Sequence, residues 1–236
     1  MYRLTVLALF VLASISVEAQ DFFMSEFQSH SKKKITYITM DNGDKFEVNL
    51  MKFKFSKGQI DELKYRATDA KKKVKVKVDE IKSMYVPASA LEKLGAGLAS
   101  LNDATKWGNK ELTTDLFSKG YYYFEKAPTR VKKKSFDTMN QLLNPYTSKY
   151  IKIFPDYKAK KTMSIGVAGI KLAGGLEKSY YIRFGEKVAY RIKKADYDEQ
   201  FKIIFADSPE LIEKYKNGVS WGDLATHILE YTQFKG

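Results

Sequence analysis

The hydrophobic pattern of the chain changes period several times, and each change marks an element. Between residues 35 and 86 apolar side chains recur at every second position, the period of half-buried strands. ITYITM (35–40) reads as a strand, and Asn42-Gly43 after it predicts a two-residue type I′ hairpin turn. In the next strand Phe46, Val48 and Leu50 keep one phase, whereas Met51, Phe53 and Phe55 keep the other. One inserted residue reconciles the two without turning either set to solvent, so a β-bulge is expected near Leu50-Met51. After a turn at 56–58, Leu63 and Tyr65 share a phase on the way back. KKKVKVKV (71–78) then puts Val74, Val76 and Val78 on one face and Lys73, Lys75 and Lys77 on the other. Successive lysines on such a face lie about 6.6–6.8 Å apart. With a strand at 81–86, residues 35–86 form an N-terminal antiparallel β region, either a small curled sheet or an SH3-like barrel.

Beyond Pro87 the period becomes helical. Leu91, Leu94, Leu98 and Leu101 mark a helical connector over 87–117. GYYYF (120–124) opens a second β region whose first strand carries aromatics on both faces and is therefore expected to be buried on both. A basic run at 132–134, a short helix over 135–143, a turn at Asn144-Pro145, and strands over 150–154 and 162–172 follow. SYYIRF and KVAYRIKK form a hairpin in which pattern decides register. Pairing Ile182 with Tyr190 and Tyr180 with Ile192 gives one wholly apolar face, against the tempting two-residue turn at Gly185-Glu186. The other face then carries Tyr181 beside Arg191, with Arg183 and Lys193 nearby. From Lys194 the helical period returns in Tyr197, Phe201, Ile204 and Phe205. Ser208-Pro209-Glu210 starts a second helix and Ser220 caps a third, with Trp221, Leu224, Ile228 and Tyr231 as its stripe. The fold class is α+β: a curled N-terminal sheet, a helical connector, and a C-terminal α+β domain over 118–236 whose helices pack on a second antiparallel sheet.

The ends and the composition bear on location. MYRLTVLALFVLASISVEAQ has a cationic start at Arg3, an apolar run too short to span a bilayer, and small residues at Val17 and Ala19. It predicts a cleavable signal peptide over 1–19, a flexible lead-in over 20–34, and a periplasmic or secreted destination with no transmembrane anchor in the mature chain. The sequence contains no cysteine, which excludes disulfides, thiolate nucleophiles, zinc-thiolate sites and an N-terminal lipid-anchoring cysteine. Lys+Arg number 41 against 28 Asp+Glu, a formal net charge of +13. Outside the cytosol such an excess points to anionic lipid, glycan or acidic protein rather than nucleic acid, or else serves solubility. No aromatic interleaves Lys73, Lys75 and Lys77 to stack on bases. Those lysines are first the solvent face of a strand and second a grip for an anion. Tyr181, Arg183, Arg191 and Lys193 make a second candidate patch.

Chemistry is sparsely marked. GIKLAGGLEKSYY lacks the adjacent Gly-Lys-Ser/Thr of a phosphate-binding loop, and DNGD lacks the alternating carboxylates and distal glutamate of a calcium loop. The two histidines, His30 in the lead-in and His227 off the main stripe of the last helix, make neither a metal site nor a Ser-His pair. No catalytic residue, cofactor or metal is assigned. QLLNPYTSKYIKIFPDYKAKKT, GGLEKSYYIRF and ADSPELIEKYKNGVSWGDLATHILEYT, with DNGDKFEVNL and VDEIKSMYVP, resemble an uncharacterised group of exported bacterial proteins. The resemblance implies an envelope or secreted protein and carries no catalytic residue. Three functions follow: a non-catalytic envelope protein contacting an anionic partner, an Asp/Glu-dependent hydrolase such as a carbohydrate-active enzyme, or an assembly component whose charge serves solubility.

Overall fold

The computed structural model describes residues 23–56, 59–68, 72–89, 109, 111–159 and 177–236. The expected signal peptide, most of the expected connector helix, the turn at 56–58 beyond Ser56, the strand at 162–172 and the Gly174-Gly175 bend lie outside them.

The first sheet is antiparallel and curls on itself. Its strands are β1 (Thr36–Met40), β2 (Lys45–Ser56), β3 (Gln59–Ala67), β4 (Lys73–Lys77), β5 (Ile81–Pro87), β6 (Tyr121–Val131) and β7 (Lys134–Gln141). Their order is β2-β1-β5-β6-β7-β3-β4, and β2 pairs again with β3, so six strands close a ring while β4 lies outside it as an edge. Closure therefore needs two strands from beyond the connector. The GYYYF strand, expected to open a second β region, instead extends the first sheet from β5, with Tyr85 opposite Tyr123.

The bulge falls where the change of phase requires it. Leu50 pairs with Tyr65 and Lys52 with Lys64, leaving Met51 as the extra residue. Val48, Leu50 and Phe53 consequently all point into the ring, joined by Leu63, Met84, Tyr122, Phe124 and Met139. The β1–β2 turn differs from expectation. Met40 N–H bonds Asp44 O at 2.9 Å and Gly43 N–H bonds Met40 O at 3.0 Å, enclosing the three residues Asp41-Asn42-Gly43. Of these only Gly43 has a positive φ, +91°. A type I′ turn needs two such residues, whereas a three-residue loop needs one.

Two further expectations are overturned. In place of the helix expected over 135–143, residues 135–141 belong to strand β7, because Val131↔Lys134 through Phe124↔Gln141 zip into a hairpin with β6. Ladder pairing and burial of Thr138 to Gln141 outweigh a weak helical pattern. Nor is the lead-in free from residue 23 onward. Met24 N–H bonds Leu143 O at 2.7 Å, and Phe27 plugs the ring with its aromatic ring 5.4 Å from Phe53 and from Phe124.

The second sheet, β8 (Ile151–Pro155), β9 (Ser179–Phe184) and β10 (Tyr190–Lys193), has the order β10-β9-β8. Its hairpin takes the register that pattern favoured: Ile182 faces Tyr190, Tyr181 faces Arg191 and Tyr180 faces Ile192. One face of this sheet packs under helices α2 (Tyr197–Ile204), α3 (Pro209–Lys214) and α4 (Leu224–Lys235); α1 (Thr114–Ser118) lies apart, against β6. Ser220 caps as expected, its hydroxyl accepting from Gly222 N–H at 3.1 Å. Ser208 does not: its carbonyl accepts the first intrahelical N–H, from Ile212 at 3.2 Å, but its buried hydroxyl has no hydrogen-bond partner among the described residues. The molecule is thus three layers: the curled sheet, the three-stranded sheet and the helices.

Candidate anion-binding surface

Cross-strand register builds the outer face of β2, β3 and β4 directly. Residues directly opposite in an antiparallel pair share a face. One row across the three strands is Asn49–Arg66–Lys73, the next Lys52–Lys64–Lys75, and the third Lys54–Glu62–Lys77. The rows between them, Leu50–Tyr65–Val74 and Phe53–Leu63–Val76, turn inward. The predicted alternation therefore holds over Lys73–Lys77, with a gradient along it. Val76 and Val78 pack on the core, while Val74, near the start of the strand, is 38% exposed.

This face is dense in unneutralised charge. Neighbouring strands lie about 4.7–4.9 Å apart, so Lys52, Lys64 and Lys75 stand side by side. Like charges directly opposite each other destabilise a sheet. Among the described residues only Lys54 of this set has a carboxylate within reach, Asp61 at 3.6 Å. Edge protection explains lysines on β4, which has no further partner strand among the described residues. It does not explain Lys52 and Lys64, which sit on interior strands. Sequence reasoning had Lys73, Lys75 and Lys77 and missed Lys52, Lys64 and Arg66. Their signal was the polar phase of β2 and β3, which becomes a patch only once the register is known.

The second candidate patch is divided: Arg191 and Lys193 are exposed, but Tyr181 is only 5% and Arg183 only 4% exposed, because the face of β9 that carries them lies against β6, where Arg183 meets Glu125. Arg183 is consumed there. Its Nη2 bonds Glu186 Oε2 at 2.7 Å, its Nε donates to Lys187 O at 2.9 Å, and its Nη1 lies 3.5 Å from Glu125 Oε1. Glu125, also buried, accepts two bonds from Lys152 Nζ at 2.8 and 2.9 Å. Arg191 turns to Asp156, at 3.7 Å, and Lys193 to Asp196, at 3.6 Å. Burial first, and then the Asp156 carboxylate, push the Tyr181 hydroxyl up from its ordinary pKa. The amphipathic hairpin pattern was right about register; what it lacked was the sheet that covers its second face.

The histidines are structural. His30 Nε2 contacts Leu50 O at 3.1 Å, and its ring packs on Phe27 and Phe53. His227 is fully buried, contrary to its expected place off the apolar stripe. It shares a 2.8 Å hydrogen bond with the Tyr197 hydroxyl and lies in a box of Phe201, Phe205 and Tyr215. Among the described residues no three His, Asp or Glu side chains gather as a metal site, and no helix is long and apolar enough to cross a membrane. Comparison with protein-family models, curated proteins and solved structures finds no match for this chain.

Proposed function

We propose that the protein is an exported, non-catalytic binding protein of the cell envelope that holds an anionic partner on the outer face of β2, β3 and β4. The partner is an extended anion of acidic lipid headgroups, acidic glycan or acidic protein. One observation carries the reading: Lys52, Lys64 and Lys75 are stacked in register across three strands, two of them interior, and none of the three makes a salt bridge among the described residues, with Glu62 the one acidic neighbour in the adjoining row. A charge used only for solubility needs dispersal, not alignment. A partner that neutralises the row removes the repulsion and gains several charge-assisted hydrogen bonds at once. The N-terminal pattern supports the exported setting.

The test is retention of the mature protein on vesicles of acidic or neutral phospholipid, and on an immobilised uronic-acid polymer, at low and high salt. Retention on an anionic matrix at low salt and release by added salt is the expected outcome. Absence of retention on every anionic matrix at low salt opposes the reading.

A further inference from the structure

A separate feature lies where the ring of strands gapes. Strand β7 meets β3 at the single pair Ile60↔Met139. Beyond it, a cleft of 960 Å³ opens between the outer part of β7, the start of β3 and the 3₁₀ turn Val78–Glu80. That volume is near the top of the range of about 300–1,000 Å³ usual for small-ligand sites. Ile60, Val78, Val131 and Phe136 supply apolar lining, and Phe136 is 45% exposed there. Lys77, Lys132, Lys133, Lys134 and Lys158 supply cations. Asp61, Asp79 and Asp137 also line the cleft, but Asp61 is already engaged by Lys54 at 3.6 Å.

The hairpin tip at this cleft is built against local preference. Val131 pairs with Lys134, so Lys132-Lys133 form a two-residue turn, and Lys132 has φ +59°. Glycine or asparagine takes that conformation without strain; lysine does so rarely. Turn geometry does not explain three consecutive lysines here, whereas the charge they place at the cleft does. An extended polyanion would meet the lysines and leave Phe136 and its apolar neighbours uncovered. A ligand with both parts satisfies both.

We propose that this cleft binds a single-chain amphiphilic anion, with the acyl chain laid over Phe136, Val131, Val78 and Ile60 and a phosphate or carboxylate head held by the lysines of the hairpin tip. The site shares Lys77 with the basic sheet face but none of Lys52, Lys64 and Lys75, so the two can be tested separately.

Titration calorimetry with dodecyl phosphate below its micellar concentration tests it, with inorganic phosphate, dodecyl maltoside and a glutamate–valine alternating peptide as comparison probes. Saturable one-to-one binding of dodecyl phosphate is expected. Lys133→Glu with Lys134→Glu, and separately Phe136→Asp, should each weaken it by about tenfold or more, the effect of losing one charge-assisted bond or a comparable apolar contact. Thermal unfolding like that of the parent chain shows that these exposed-site variants fold. Lys64→Glu with Lys75→Glu should leave binding unchanged within about twofold, which separates this site from the sheet face. Equal affinity for inorganic phosphate, equal affinity for dodecyl maltoside, or indifference to the cleft substitutions overturns the proposal. Tighter binding of the acidic peptide overturns it too, and reassigns the cleft to strand addition along the open edge of β7.

Discussion

At the scale of single residues, the consequential group outside the surface site is His227. Its ring is fully buried among aromatics, and burial, with Lys214 adding a smaller push, lowers its pKa to about 4. An unfolded histidine titrates near 6.5. Between those values the unfolded chain binds the proton and the folded chain does not, so stability is complete above about pH 6.5 and is lost as pH falls toward 4. The shift corresponds to about 3 kcal/mol once both states are protonated. His30, also lowered by burial, adds in the same direction. Urea unfolding of His227→Phe at a series of pH values should show a markedly shallower acid slope than the parent chain. An unchanged slope would mean that His227 is not held neutral by its box. The sequence showed His227 only as a residue beside the helical stripe. The helix presents a broader face than the stripe, because α2, α3 and the turn at Trp221 all converge on it.

At the scale of elements, what was legible depended on whether one face or two had to be satisfied. The β2 bulge and the β9–β10 register were both readable because a slip of one residue would expose a whole apolar set. Deleting Met51 tests this directly. Removing the extra residue swings Phe53 out of the ring, and a loss of about 3–5 kcal/mol is expected, comparable to emptying a buried phenylalanine site. Met51→Ala, which keeps the count, should cost far less; equal costs would show that the bulge does not set the register. Strand β7 was illegible for the complementary reason. It buries Met139 into the ring and Thr138 and Asn140 toward the second sheet, so no alternation of apolar and polar survives to announce a strand. Its polar side is hydrogen-bonded within itself, with Thr138 Oγ1 2.8 Å from Thr129 Oγ1 and 2.7 Å from Asn140 Nδ2, although Asn140 Oδ1 has no partner among the described residues.

At the scale of the whole molecule, the separation of charges explains which cations are free to act. Lys152 and Arg183 are locked against Glu125 between the two sheets, where an unpaired charge would be strongly destabilising. Lys52, Lys64, Lys73, Lys75 and Lys77 lie on a face with one glutamate among them. Sequence alone could not distinguish the two sets, since both are basic residues alternating with apolar ones; only the presence or absence of a covering layer does. The claim that the uncovered set grips an extended anion is tested most directly by the salt dependence of binding to a sulfated polysaccharide, comparing the parent chain with Lys64→Glu/Lys75→Glu. The parent affinity should fall steeply between about 50 and about 200 mM salt, and the variant should bind at least about tenfold more weakly with a shallower slope. Equal affinity and equal slope for the two proteins would contradict the account.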